Sequence, residues 1–143
     1  TMKYFLAIPL LALLITSCNK NEEIVQDEIE QNQELLMGVW ETGEKFSIKE
    51  TEASTSTCIN DIKEFNFTST EELTCRYCYG SYDYNWSCTA DKIILPGLSD
   101  EIEEYEIIIL DSEELIFEGS RTYIDENSIT VTHKIRIELK RFE

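Results

Sequence analysis

The stretch VTHKIRIELK, residues 131–140, decides the fold class because apolar and charged side chains alternate along it. Odd-numbered positions carry the apolar side chains and the only histidine, and even-numbered positions from 134 onward carry charged side chains. The first set is Val131, His133, Ile135, Ile137 and Leu139, and the second is Lys134, Arg136, Glu138 and Lys140. A period of two residues predicts a strand with one face in a core and the other in water.

The same alternation recurs from about residue 35 to the end of the sequence, interrupted by turn signals. The alternating pairs are Phe65 and Phe67, Tyr77 and Tyr79, Tyr84 and Trp86, and Ile93 and Leu95. Turn signals lie at 68–71, 80–81, 89–91, 96–97, 111–112 and 125–128. About eight short strands with short connections predict an all-β, antiparallel, up-and-down barrel or a sandwich. We favour the barrel because it leaves no exposed sheet edge.

The start of the chain predicts an exported lipoprotein. Lys3 precedes an apolar run, FLAIPLLALLI at 5–15, which is too short to span a membrane and typical of a signal peptide. The run leads into Ile15-Thr16-Ser17-Cys18, which resembles the bacterial lipobox. We therefore expect residues 1–17 to be a signal peptide and Cys18 to carry lipid. An ordinary secretory signal with an incidental Cys18 is the alternative.

Residues 18–34 predict an acidic tether. Between 19 and 34 there are six acids, one lysine and no aromatic residue, so the segment cannot fold alone. The domain is then expected at 35–143. The chain has a net charge of −17, and signal cleavage would remove Lys3 and no acid, giving −18. Such acidity disfavours nucleic acid and adhesion to anionic lipid, so the covalent lipid would make the membrane contact.

Four further cysteines, Cys58, Cys75, Cys78 and Cys88, predict disulfides in an exported chain. If a hairpin turn is centred between Ser81 and Tyr82, Cys75 opposes Cys88, at a spacing near disulfide range. The hairpin before it pairs Phe67 with Leu73 and brings Cys58 towards Cys78. We therefore expect Cys75–Cys88 and Cys58–Cys78 bridges. A thiolate zinc site of Cys75, Cys78, Cys88 and His133 is the less favoured alternative.

Several segments together resemble the lipocalin-like lipoproteins of Bacteroidetes, which are small calycin-type barrels. The segments are LLMGVW at 35–40, CINDIKEFNFTSTEEL at 58–73, NWSCTADKIIL at 85–95, YEIIILDSEELIF at 105–117 and KIRIELKR at 134–141. The resemblance implies an eight-stranded lipocalin-like barrel with an outer-membrane lipid anchor. It also implies that Gly38 and Trp40 form the Gly-x-Trp entry and that Arg141 stacks on Trp40 to close the barrel. Lys20-Asn21-Glu22-Glu23, just after Cys18, is similar to the lysine-and-acid signal of Bacteroidetes surface lipoproteins and implies surface display.

Two functions are compatible with such a barrel. In the first, the interior binds a small apolar or amphipathic ligand, and the residues expected to line it are Phe65, Phe67, Tyr77, Tyr79, Tyr84, Trp86 and Ile107. In the alternative, the core is packed and the domain is a surface-displayed structural or interaction module for a protein or glycan. The tyrosines and Trp86 would then be exposed as a stacking platform.

Enzymatic activity is not expected. The chain has one histidine and none of the common nucleophile, metalloprotease or phosphate-loop motifs, so no catalytic residue and no cofactor or metal is assigned. Acid pairs such as Glu103-Glu104 are explained by the high acid content.

Overall fold

The computed structural model describes residues 15–43, 48–51 and 59–143, and it leaves out the side chains of 15–20, 48–51 and 60. Most of the expected signal peptide, the side chain of Cys18 and all of Cys58 lie outside this description. The described part is one helix followed by an antiparallel sheet that curls into a nearly closed barrel. The all-β prediction is therefore confirmed for the domain.

The helix and strands have the following bounds. Helix α1 is Ile15–Leu36. The strands are β1 Gly38–Glu41, β2 Ile48–Thr51, β3 Ile62–Phe67, β4 Glu72–Tyr77, β5 Gly80–Asn85, β6 Ser87–Cys88, β7 Lys92–Ile94, β8 Glu104–Leu110, β9 Glu114–Ile124 and β10 Thr130–Arg141. A 3-10 turn, Ile59–Asp61, precedes β3.

The sheet follows the order β5-β4-β3-β1-β10-β9-β8-β7-β6, with β2 also paired to β10. Strands β1 and β2 share one edge of β10: Trp40 lies opposite Arg141, and Ile48 lies opposite Ile137. At the ends of the order, β5 and β6 are separated only by Trp86. The run 80–88 therefore pairs with β4 through its first part and with β7 through its second part.

The alternation in the opening stretch has the predicted consequence. His133, Ile135, Ile137 and Leu139 are fully buried, while Val131 is partly exposed near the start of β10. The outward side chains form ion pairs, including Lys134 and Arg136 with Glu118 on β9. Burial of one face of each strand is the main stabilising contribution in such a barrel.

The acidic segment is more ordered than a tether. Helix α1 includes all of residues 18–34 and ends against the barrel, where the Asn32 amide donates to the Ala90 carbonyl at 2.9 Å. Leu36 is fully buried, and Ile29 packs against the core. Among the described residues, no helix is long and apolar enough to cross a membrane.

The predicted turn at Ser81–Tyr82 is wrong. The turn is at Cys78–Tyr79, so Tyr77 opposes Gly80 and Cys75 opposes Tyr82. Pairing of Phe67 with Leu73 is confirmed, but an irregularity after Ile62 places that residue opposite Tyr77 rather than Cys78.

Candidate functional site

The closing end of the barrel is formed by the C-terminus of α1, Trp40 and Arg141. The Arg141 guanidinium carbon lies 4.1 Å from the Trp40 ring centroid, which is the contact expected from the sequence. The Trp40 indole N–H donates to the Leu36 carbonyl at 2.8 Å. Trp40 is fully buried, so this end is closed by an aromatic ring under a cation.

Arg141 also satisfies the end of the helix. Its terminal nitrogens donate to the carbonyls of Met37 and Leu35, each at 2.6 Å. Carbonyls in the last turn of a helix lack partners within the helix, and a cation there is favoured by the helix dipole. Gly38, at a φ of 109°, leaves space for this arginine, since a β-carbon would lie 3.0 Å from the Arg141 Nη1.

The second region is a tyrosine cluster on the β4–β5 hairpin, defined as Tyr77, Tyr79, Tyr82 and Tyr84. Ring centroids of Tyr77 lie 5.4 Å from those of both Tyr79 and Tyr82, and the last two are 6.3 Å apart. The hydroxyls of Tyr77 and Tyr84 are 2.8 Å apart. Burial first, and then this hydrogen bond, raise the pKa of Tyr77, so its hydroxyl remains protonated.

Exposure divides the cluster. The Tyr79 side chain is 58% exposed and Tyr82 is 51% exposed, whereas Tyr77 is buried and Tyr84 is partly buried. Single exposed apolar residues are common on protein surfaces. Two aromatic rings exposed side by side form a contiguous patch, and such patches indicate contacts with other molecules. A groove of about 300 Å³ runs beside it and is lined by Thr68, Glu72, Thr74, Asp83, Tyr84 and Asn85.

The residues expected to line a ligand cavity lie in different environments, some in the core and some at the surface. Phe65, Phe67 and Trp86 fill the core, with Phe65 edge-on to Phe117 and Phe67 edge-on to Trp86. Tyr77 borders the same core, Tyr84 and Ile107 are partly buried against it, and Tyr79 is outside. Tyr82 was missed by the sequence analysis, which placed it in the turn.

The expected Cys75–Cys88 disulfide is absent, since Cys75, Cys78 and Cys88 are free thiols. The shifted register explains the difference: Cys75 faces Tyr82, and Cys88 lies past the bend at Trp86, opposite Ile93. Burial raises the pKa of both thiols. The expected Cys58–Cys78 bridge involves Cys58, which lies outside the described residues, while Cys78 is exposed at the turn.

His133 has a carboxylate partner within the fold. It is fully buried, and its Nδ1 lies 2.9 Å from a carboxylate oxygen of Glu101. In the described ranges, no group of three or more histidine, cysteine or acidic side chains is arranged to hold a metal ion.

Comparisons with protein-family models, with curated proteins and with solved structures found no match. The resemblance to Bacteroidetes lipocalin-like lipoproteins stays a prediction.

Proposed function

We propose that this chain is a lipid-anchored envelope protein whose barrel is an interaction module, contacting another molecule through the tyrosine cluster. The observation that carries the proposal is the side-by-side exposure of Tyr79 and Tyr82. Tyrosine is enriched at interfaces because it provides a large contact area and a polar tip with few rotatable bonds.

Packing of the interior supports this function over the small-ligand hypothesis. Side chains that would have to border a ligand, namely Phe65, Phe67 and Trp86, contact one another or other core rings. Tyr105 adds a further ring, 5.5 Å from Phe117, with its hydroxyl bonded to the Ile102 carbonyl. An eight-stranded barrel is just wide enough for side chains to fill it, and the ring contacts among these residues support a packed interior. Binding of a small apolar molecule stays the second candidate from the sequence.

The anchor and the finer fold class belong to the same proposal. The lipobox-like sequence places lipid on Cys18, and α1 would place the barrel about 27 Å from it at 1.5 Å per residue. Outer-membrane attachment with surface display fits this arrangement. Counting β1 with β2 and β5 with β6 gives eight strand positions, which supports a lipocalin-like barrel.

Lipidation is tested by feeding cells an alkyne-labelled fatty acid. The chain should take up the label, and the Cys18→Ser variant should not. Equal labelling of the variant, or no labelling of the original chain, would contradict the anchor.

The interaction site is tested by placing a photo-crosslinking phenylalanine analogue at position 79 or 82 of the full chain, expressed in its own host. We expect covalent adducts from these positions and none from position 123, where Tyr123 is a partly exposed tyrosine on a different strand. Adducts that are absent at 79 and 82, or equally abundant at 123, would refute the site. A small molecule that co-purifies in stoichiometric amount would favour the second candidate.

A further inference from the structure

One edge of β5 is open beside the tyrosine cluster. Trp86 N donates to the Glu71 carbonyl at 2.9 Å, which fixes the alternation of hydrogen bonds along the β4–β5 ladder. Residues 80, 82 and 84 therefore bond to β4. Ser81, Asp83 and Asn85 point their N–H and C=O groups away from it, and no hydrogen-bond partner for these groups occurs within the described ranges.

The edge is open because β7 leaves the sheet early. Ser87 and Cys88 pair with Ile94 and Ile93, and the same side of the run 81–85 would pair with a continued β7. The pairing with the β8 side continues through Leu95 N, which bonds to the Glu103 carbonyl, and the chain then turns at Pro96, which has no N–H to offer to the 81–85 run. The barrel wall therefore closes at β6 and has a slot along β5.

The composition of β5 does not protect this edge. Proteins block exposed edges with charged side chains, above all lysine, or with proline, bulges or covering segments. The one charged side chain of β5 is Asp83, whose carboxylate accepts a hydrogen bond from Thr74 on β4. GSYDYN has no lysine or proline, and its register with β4 is continuous. An open edge with side-chain pockets is the arrangement that binds an extended peptide as an added strand.

We propose that the slot binds an extended, basic segment of another protein, which adds to β5 as a strand while its side chains pack on Tyr79 and Tyr82. This inference rests on the tyrosine cluster being the interaction site. Charge selects the occupant: residues 71–88 contain Glu71, Glu72 and Asp83 against one arginine, Arg76, which pairs with Glu64 at 2.8 Å. A second copy of this chain would add another charge of −17, so a basic partner is favoured. Lysine or arginine can also stack on the exposed rings.

The test uses a ten-residue peptide of alternating lysine and valine, an N-methylated form that cannot add as a strand, and an alternating glutamate and valine peptide. Calorimetry with the full chain should show binding of the first peptide only. On binding, hydrogen exchange at the Ser81, Asp83 and Asn85 amides should slow, and exchange at Tyr82, which bonds to β4, should change little.

Proline at position 83 is the decisive variant. Asp83→Pro removes an outward N–H but no bond to β4, a position where edge strands tolerate proline. Peptide affinity should fall about tenfold or more, since a hydrogen bond is lost and the ring meets the added strand. Asp83→Asn controls for loss of the carboxylate, which accepts from Thr74 at 2.7 Å, and should weaken binding by clearly less than Asp83→Pro, because the outward N–H and the charges of Glu71 and Glu72 are kept. Ser81→Pro provides a second test if Asp83→Pro fails to fold.

Several outcomes would overturn the strand addition. They are failure of the lysine–valine peptide to bind, equal binding of the N-methylated peptide, and equal binding by the Asp83→Pro chain. Slow exchange of the three amides in the monomer without peptide would mean that the chain covers its own edge, and concentration-dependent protection would identify a second copy. If crosslinking at 79 and 82 persists while these results fail, the interaction module stands and only the strand mode is lost.

Discussion

The closing end and the tyrosine hairpin use aromatic rings in opposite ways. At the closing end, Trp40 is fully buried, and Arg141 covers its ring while bonding to the Leu35 carbonyl in the last turn of α1 and to the Met37 carbonyl just after it. At the hairpin, Tyr79 and Tyr82 are more than half exposed, next to an edge whose backbone groups have no partner in the described parts of the chain. Gly38 lies opposite Phe67 at the end of β3, and the turn of the tyrosine hairpin lies near its start, since Tyr77 pairs with Ile62.

The closing end therefore serves the stability of the fold, whereas the hairpin is available for binding another molecule. At the closing end, the Trp40 N–H bonds to the Leu36 carbonyl and Arg141 bonds to the Leu35 and Met37 carbonyls, so these groups contribute to folding. At the hairpin, the exposed rings and the outward backbone groups of β5 can contact another molecule. Substitutions in the two regions should therefore affect different measurements.

The largest expected difference is in thiol reactivity. In the folded chain, iodoacetamide should modify Cys78 at the hairpin turn at least about a hundredfold faster than Cys75 or Cys88, because reaction at the buried thiols requires opening of the core. Their raised pKa adds to this protection by keeping the thiols neutral. Peptide mapping of the alkylated protein measures the rates. Comparable rates, or a Cys75–Cys88 bridge in unreduced protein, would contradict the core described above.

Trp40→Ala should lower the free energy of unfolding by about 3–5 kcal/mol, the usual cost of removing a buried tryptophan. Urea unfolding followed by circular dichroism measures the loss. Trp40→Phe should recover part of it, since the smaller ring keeps a face for Arg141. A cost below about 1 kcal/mol for the alanine variant would mean that this end is not what holds the helix.

Arg141→Lys should cost about 1–3 kcal/mol, because one ammonium cannot reach both carbonyls and stack on the ring as a planar guanidinium does. Arg76→Lys is the matched control on the hairpin, where the arginine is half exposed and pairs with Glu64. That change should stay within about 0.5 kcal/mol. Similar costs for both substitutions in urea unfolding would remove the distinction between the two regions.

The ion pairs on the outer face of β9 and β10 should respond weakly to pH. Hydrogen bonds from Lys134 and then Arg136 lower the pKa of Glu118. A lowered carboxyl pKa gives stability that is present above the unfolded value, about 4.3, and is lost as pH falls through the folded value. Glu118→Gln should therefore reduce stability by about 1 kcal/mol or less at pH 7. The gap from the original chain should shrink between pH 5 and 3; a gap that is constant with pH would exclude the charged pair as its cause.

The closing end could be predicted because the resemblance to lipocalin-like barrels implies a tryptophan stacked under an arginine of the last strand, and residue alternation selects Arg141. Gly38-x-Trp40 fixes one partner, and Arg141 shares the inward parity of Ile137 and Leu139. The hairpin could not be predicted, because Gly80-Ser81 suggested a turn that the chain makes at Cys78–Tyr79. A shift of the turn changes every cross-strand pair. The predicted Cys75–Cys88 disulfide was therefore wrong, and the exposed position of Tyr82 was missed.

The bend at Trp86 was equally hidden from the sequence. Alternation runs through Tyr84, Trp86 and Cys88, all three on the inward parity, and predicts a single strand. Which neighbour each half pairs with depends on where β7 ends, and the chain turns at Pro96, two residues after the last residue of β7. A two-residue period identifies strands but does not show where neighbouring strands stop pairing. The slot could therefore be found only from the structure.

The smallest expected effect is the most informative about function. Tyr79→Ala and Tyr82→Ala should each change the free energy of unfolding by no more than about 0.5 kcal/mol, because more than half of each ring is already in water. Urea unfolding, run beside Trp40→Ala, makes the comparison directly. If either variant costs more than about 1.5 kcal/mol, the rings brace the hairpin against Tyr77, and their exposure needs no partner to explain it. If both are neutral, folding gains little from these two adjacent rings, as the proposed interaction site requires.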